Sequence, residues 1–264
     1  MSSPIQPNRL RQIFQSGGAA VGTMLVEIRQ PAVMQLMANG GFDFVIIDNE
    51  HGPFDIETIA DLCRMARLVG ITPIVRVPDL TYAEVTRPLD AGAQGIMVPR
   101  IVGPEQVREA VQMMKYPPMG RRGSVMARGH TDFKGGDVSQ MMSDSNRETM
   151  LVVQIETRQA LDRIDEILSV EGVDVGFVGP NDLSIALGVA GKLESDPMNQ
   201  SVAQVVQACR KHRVIPAIQA NELSIGLRWA AGGMRMLSYN SEAGLMVKSA
   251  SDATTALKKE FSRS

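Results

Sequence analysis

Two carboxylates and an imidazole, Asp48, Glu50 and His51, fall within four positions of the stretch Asp43-Phe-Val-Ile-Ile-Asp-Asn-Glu-His-Gly-Pro-Phe54. A carboxylate beside a histidine can fix its tautomer and raise its basicity, which is how a side chain is prepared to move protons. Residues 44–47 form a continuous apolar run of the kind found in a parallel strand covered on both faces. Gly52-Pro53 then breaks the chain into a loop. Charged groups just past the carboxyl end of a buried strand are where α/β proteins usually keep their chemistry. The competing reading is an aspartate that caps the next helix and a histidine that is merely solvated.

Similar positions recur down the chain. Arg76 closes an apolar run at 73–77, Arg100 follows Pro99, Gln154 and Glu156 end the run that begins at 151, and Asp182 sits in Gly179-Pro-Asn-Asp-Leu-Ser184. Glu156 and Asp182, from neighbouring strands, could hold one hard divalent ion and leave most of its coordination sphere to water or substrate. Asp182 also lies at a predicted helix start, where free N–H groups make an anion pocket and where an aspartate can serve only as an N-cap. None of the lysines follows a predicted strand, which disfavours Schiff-base chemistry. With two cysteines, Cys63 and Cys209, in helix-like segments and no Cys/His cluster, a closed zinc site is disfavoured. The cysteines read as small buried hydrophobes in a reduced compartment.

The elements that must position these residues follow from periodicity. Strands are predicted at 21–25, 43–48, 73–77, 95–98, 151–155, 173–178, 214–218 and 234–239, with helices at 32–38, 56–69, 82–90, 105–114, 159–168, 202–211, 222–231 and 250–261. Between 116 and 143 the pattern lapses in a Gly-, Arg- and Met-rich stretch, and a loop of that length reads as a lid or binding segment. Eight strand–helix units within 264 residues, with no linker of domain-boundary character, predict one (β/α)8 barrel over 1–264 with a short N-terminal extension at 1–18. An open doubly wound sheet is the second choice, weakened by the lack of a Gly-x-Gly-x-x-Gly turn. In a barrel, Asp48, Glu50, His51, Arg76, Arg100, Gln154, Glu156 and Asp182 would share one mouth. A net charge of -2, with basic residues dispersed, gives no electrostatic case for nucleic acid or membrane partners. No apolar run approaches the ~20 residues of a membrane span and the start is not a secretory signal, so a cytoplasmic protein is expected.

Asp-x-Glu-His at 48–51, Arg76 in Val-Arg-Val, Tyr116-Pro-Pro-Met-Gly-Arg-Arg-Gly123, Gln154-Ile-Glu156 and Gly179-Pro-Asn-Asp-Leu-Ser184 stand in the order seen in the HpcH/HpaI family. The chain resembles its class II, metal-dependent pyruvate aldolases, in the 4-hydroxy-2-oxoheptanedioate and 2-keto-3-deoxy sugar-acid branch. The resemblance implies a TIM barrel whose last helix swaps between subunits, in a homohexamer built as a trimer of dimers. It implies that Glu156 and Asp182 bind Mg2+, Mn2+ or Co2+, that Arg76 stabilises the enolate oxygen of pyruvate, and that His51, oriented by Asp48, acts as base. Gln154, Gly179, Asn181 and Asp182 would contact the keto acid. The implied reaction is reversible cleavage of a 4-hydroxy-2-oxo acid to pyruvate and an aldehyde. Decarboxylation of oxaloacetate, CoA-ester cleavage at the same site, and a non-catalytic keto-acid-binding barrel are the alternatives. Residues 128–133 and 238–242 depart from the usual family sequence and could face the aldehyde; His130 would then be an acceptor contact or simply a solvated loop residue.

Overall fold

A two-residue alternation runs through every strand and sorts the side chains into an inner and an outer set. In the computed structural model, which describes residues 3–262, the strands are β1 (Ala20–Leu25), β2 (Phe44–Asp48), β3 (Thr72–Arg76), β4 (Gly95–Val98), β5 (Met150–Ile155), β6 (Val173–Val178), β7 (Ile215–Ala220) and β8 (Met236–Ser241). All neighbours pair in parallel and β8 returns to β1, which closes the barrel and excludes the open sheet. Residues 1–2 and 263–264, the ends of the expected 1–264 span, lie outside the described residues.

Phe44, Ile46, Ile74, Met97, Met150, Val152, Val175, Phe177, Ala217 and Met236 fill the interior as one apolar cluster. The intervening Val45, Ile47, Val75, Ile96, Leu151 and Val153 pack outward against the helices in a second cluster. The strands are therefore buried on both faces, as parallel sheets are. Continuing the inner alternation one step toward the carboxyl ends places Met24, Asp48, Arg76, Gln154, Gly179, Gln219 and Ser238 on the inside of the mouth.

The opposite end is sealed by the N-terminal segment itself. The helix Arg9–Gln15 inserts Leu10, fully buried, into the inner cluster, with Ile13 and Phe14 packed beside it. Asn8 fixes it: its Oδ1 accepts from Leu10 N at 3.0 Å, and its Nδ2 donates to Gln94 O and Glu148 O at 3.1 and 2.9 Å. The expected lid is also at this floor. Residues 115–137 join the end of the helix Pro104–Met114 to the helix Val138–Glu148, which leads into the start of β5. His130 lies against Asp90 O (3.4 Å), at the helix end preceding β4, so residues 128–133 sit at the end of the barrel opposite this chain's own mouth. Nor is His130 simply solvated, being buried between Arg67 and Arg122. Burial and the neighbouring Arg122 push its pKa down to about 4. Lys115 is anchored nearby, its Nζ donating to Asn146 O, Thr149 O and Thr149 Oγ1 at 2.7, 2.7 and 3.0 Å.

The last helix, Glu242–Phe261, begins where β8 ends rather than at 250, because Ser241 caps it by accepting from Gly244 N at 3.1 Å. Every described residue from Met246 onward is exposed, including Met246, Val247, Leu257 and Phe261. Among the described residues no helix is long and apolar enough to cross a membrane.

Candidate active site

The mouth holds a cavity of about 300 Å³ lined by Met24, Ile46, His51, Arg76, Met97, Gln154, Phe177, Gly179, Pro180, Asn181, Asp182 and Gln219. Its floor is the apolar inner layer of the barrel, and its rim is polar, the arrangement usual for a small-molecule site.

Arg76 and Asp48 are laterally paired residues at the ends of β3 and β2. The guanidinium presents its side to the carboxylate, with Nε 2.9 Å from Oδ1 and Nη2 2.6 Å from Oδ2. Nη1 lies 3.1 Å from Glu50 Oε2. Burial works against the Arg76 charge, but the hydrogen bond to Asp48 and the fields of Asp48, Glu50 and Glu156 outweigh it and raise its pKa. The guanidinium is therefore a fixed cation whose orientation is set by two acids.

This differs from the expected partnership of Asp48 with the His51 ring. Asp48 Oδ1 reaches His51 through its backbone N–H at 3.3 Å and also accepts from Glu50 N at 3.0 Å, shaping the loop after β2. The carboxylate nearest the imidazole is that of Glu50, with Oε2 3.9 Å from His51 Nε2. Glu50 also receives Arg100 Nη1 at 3.3 Å, and its side chain is only 6% exposed against 68% for His51. Glu50 thus joins Arg76, Arg100 and His51, a position visible in the Asp-x-Glu-His stretch only as one acid among several.

Glu156 follows β5, and its Oε1 accepts from Arg100 N at 2.7 Å while Oε2 takes a short hydrogen bond from Gln154 Nε2. Burial first, and then the Asp182 and Glu50 carboxylates, push its pKa upward, against the Arg100 N–H bond and the Arg76 charge. Gly179 closes the other side: a Cβ there would strike Glu156 Oε2 and Gln154 Nε2, so any larger residue must push one of these side chains aside. Gly179 is also the N-cap of the helix Pro180–Ala186, without a side-chain cap bond, so Asp182 is not the cap. The first intrahelical bond runs from Leu183 N to Gly179 O, leaving the N–H groups of Asn181 and Asp182 free of intrahelical partners.

Glu156 and Asp182, near enough for the Asp182 charge to raise the Glu156 pKa, offer a hard-oxygen donor set. That set suits a small divalent cation whose remaining positions stay open, and a cation would relieve the repulsion felt by Glu156. Among the described residues no group of three His, Cys, Asp or Glu side chains gathers for a metal, so a self-contained protein cage is not built here.

The rim beside β1 is held by Glu242. Its carboxylate is buried and accepts from three consecutive backbone N–H groups: Val26 at 3.1 and 2.9 Å, Glu27 at 2.7 Å and Ile28 at 2.9 Å. The sequence pointed to 238–242 as a departure, but not to a carboxylate seated in a backbone nest.

The model of the family described as "HpcH/HpaI aldolase/citrate lyase" matches residues 23–237. A protein of Agrobacterium fabrum named hydroxypyruvate/pyruvate aldolase is 35% identical over 246 residues, covering 89% of this chain and 91% of its own. A 5-keto-4-deoxy-D-glucarate aldolase of Shigella dysenteriae is 28% identical, covering 93% and 94%. The crystal structure of an HpcH/HpaI aldolase from Desulfitobacterium hafniense superposes with a TM-score of 0.91 at 32% identity, covering 94% of this chain and 96% of the other.

Proposed function

The chain belongs to the HpcH/HpaI aldolase/citrate lyase family, and from that premise we propose that it is a carbon–carbon lyase acting on 2-oxo acids. It cleaves a 4-hydroxy-2-oxo acid to pyruvate and an aldehyde and catalyses the reverse addition. The observation that carries this reading is Arg76, buried and clamped by Asp48 and Glu50, in one cavity with Gln154, Gly179 and Asp182. A fixed cation that is itself buried is suited to negative charge that develops on a substrate oxygen.

Glu156 and Asp182 would hold a divalent cation, Mg2+, Mn2+ or Co2+, whose contribution when bound is that of a Lewis acid toward the keto acid. The N–H groups of Asn181 and Asp182 receive the substrate carboxylate, and Gln154 orients its 2-oxo group. Arg76 faces the oxygen that becomes an enolate. His51, exposed to the mouth and flanked by Glu50, takes and returns the proton at its ring nitrogen. Among the described residues no lysine lines the cavity, which supports a route without a Schiff base. Similarity to proteins named as aldolases of free keto acids favours this reading over CoA-ester cleavage.

The exposed apolar residues of the helix Glu242–Phe261 support docking onto a second copy of the chain, in a hexamer of swapped dimers. A cytoplasmic location completes the proposal, in keeping with two buried free cysteines. The decisive measurement is exchange of pyruvate C3 protons with deuterium by the enzyme supplied with Mg2+, Mn2+ or Co2+. Exchange that needs the cation and disappears on chelation is expected; no exchange with any of the three would sink the reading.

A further inference from the structure

Arg100 stands two residues past β4 in the left-handed region, with φ 52°. That conformation is costly for a residue with a long side chain, and strain of this kind gathers at functional sites. The contacts of Arg100 show what the conformation brings together.

Its main chain and its side chain serve different halves of the mouth. The N–H donates to Glu156 Oε1 at 2.7 Å, at the end of β5, where the cation is proposed to bind. The guanidinium reaches back across the ends of β3 and β2. Its Nη2 donates at 2.8 Å to the carbonyl of Pro78, two residues past Arg76, and Nη1 lies 3.3 Å from Glu50 Oε1.

With Oε1 taken by Arg100, Glu50 Oε2 is left between Arg76 Nη1 at 3.1 Å and His51 Nε2 at 3.9 Å. One oxygen therefore faces both the cation proposed to meet the enolate and the imidazole proposed to move the proton. The terminal torsion of a glutamate is broad, so a carboxylate held by Arg76 alone could pivot about that contact. Arg100 supplies the second hold. Its side chain is exposed, so solvent screens its charge and direction is what it contributes. A planar fork meets a carbonyl and a carboxylate from one rigid group, which the point charge of a lysine cannot do.

We infer that Arg100 is a positioning residue for proton transfer: its guanidinium fixes Glu50 so that one carboxylate oxygen aligns Arg76 with His51, while its N–H orients Glu156. The inference rests on the aldolase reading. Its test is the saturating rate of deuterium exchange at pyruvate C3 with the preferred cation, which involves no aldehyde, beside calorimetric Mn2+ binding. Arg100→Gln keeps the N–H and loses the fork; Arg100→Gly does the same and adopts the backbone conformation freely. Both should lower the rate by about tenfold or more, with the pyruvate KM changed less than about threefold. Mn2+ affinity should stay within about twofold of wild type, because the bond to Glu156 comes from the main chain. Arg100→Lys should recover only part of the rate. Glu50→Gln should also slow exchange, and adding Arg100→Gln to it should lower the rate by less than about twofold more, since both changes release the same oxygen. A wild-type rate in Arg100→Gly, full recovery in Arg100→Lys, or losses that multiply in the double variant would overturn the role. A fall in Mn2+ affinity as large as the fall in rate would move the effect to the cation site and overturn it equally. Absence of exchange in wild type with Mn2+ bound would instead remove the aldolase reading, and this role with it.

Discussion

The carboxylate of Asp48 holds Arg76 along one edge, through Nε and Nη2 at 2.9 and 2.6 Å, and leaves the rest of the guanidinium turned to Glu50 and the cavity. An acid that sets the direction of a buried cation contributes to catalysis without touching the substrate.

Arg76→Ala should therefore lower kcat for aldol cleavage by about 2.7–4 kcal/mol of transition-state stabilisation, the scale of a lost oxyanion donor. Asp48→Asn should lower kcat more than it raises KM, because Arg76 stays in place but loses its fixed direction. Arg76→Lys should not restore activity, since an ammonium cannot meet Asp48 side-on. Steady-state kinetics on the three variants checks this, and near wild-type turnover in Arg76→Ala would remove the residue from the mechanism.

Gly179→Ala tests the close approach behind the carboxylate pair. Its φ of -90° is open to any residue, so the substitution acts through space alone. The new methyl must displace Glu156 or Gln154. Cation affinity, measured calorimetrically with Mn2+, should fall at least tenfold while far-ultraviolet circular dichroism stays unchanged.

His130 should govern acid stability rather than catalysis. Burial and then Arg122 depress its pKa from 6.5 to about 4, opposed by Asp90, with Arg67 adding to the depression. The unfolded chain therefore binds a proton that the native chain refuses. Stability is fully present above 6.5 and is lost as pH falls through that value toward about 4. The loss amounts to at most about 3 kcal/mol at the acid end. Thermal unfolding midpoints across this range should fall more steeply for wild type than for His130→Gln; parallel curves would contradict the assignment.

Glu242→Ala removes the acceptor for three consecutive N–H groups at Val26, Glu27 and Ile28. Hydrogen bonds to a charged acceptor contribute roughly 1.5–3 kcal/mol each, although water will reach part of the vacated nest. Denaturant unfolding should show a loss of at least about 2 kcal/mol, and hydrogen exchange should speed up at residues 26–28 ahead of the rest of the barrel.

Much of this architecture was legible from residue order. The apolar run before Asp48 and the positions of Arg76, Gln154 and Glu156 at strand ends were enough to gather those four at one mouth, because strand alternation and barrel closure do the rest. Residues 116–143 misled because a stretch without period looks the same whether it covers the mouth or the floor. Only its packing against Asp90 and Ala91 shows which. Likewise, proximity in sequence suggested Asp48 for the His51 ring, whereas lateral pairing across β2 and β3 delivers it to Arg76.

The packed apolar layer under the mouth, with Leu10 of the helix Arg9–Gln15 set beneath it, makes the catalytic chamber a cul-de-sac. Both cleavage products must depart through the same door by which the reactant came in.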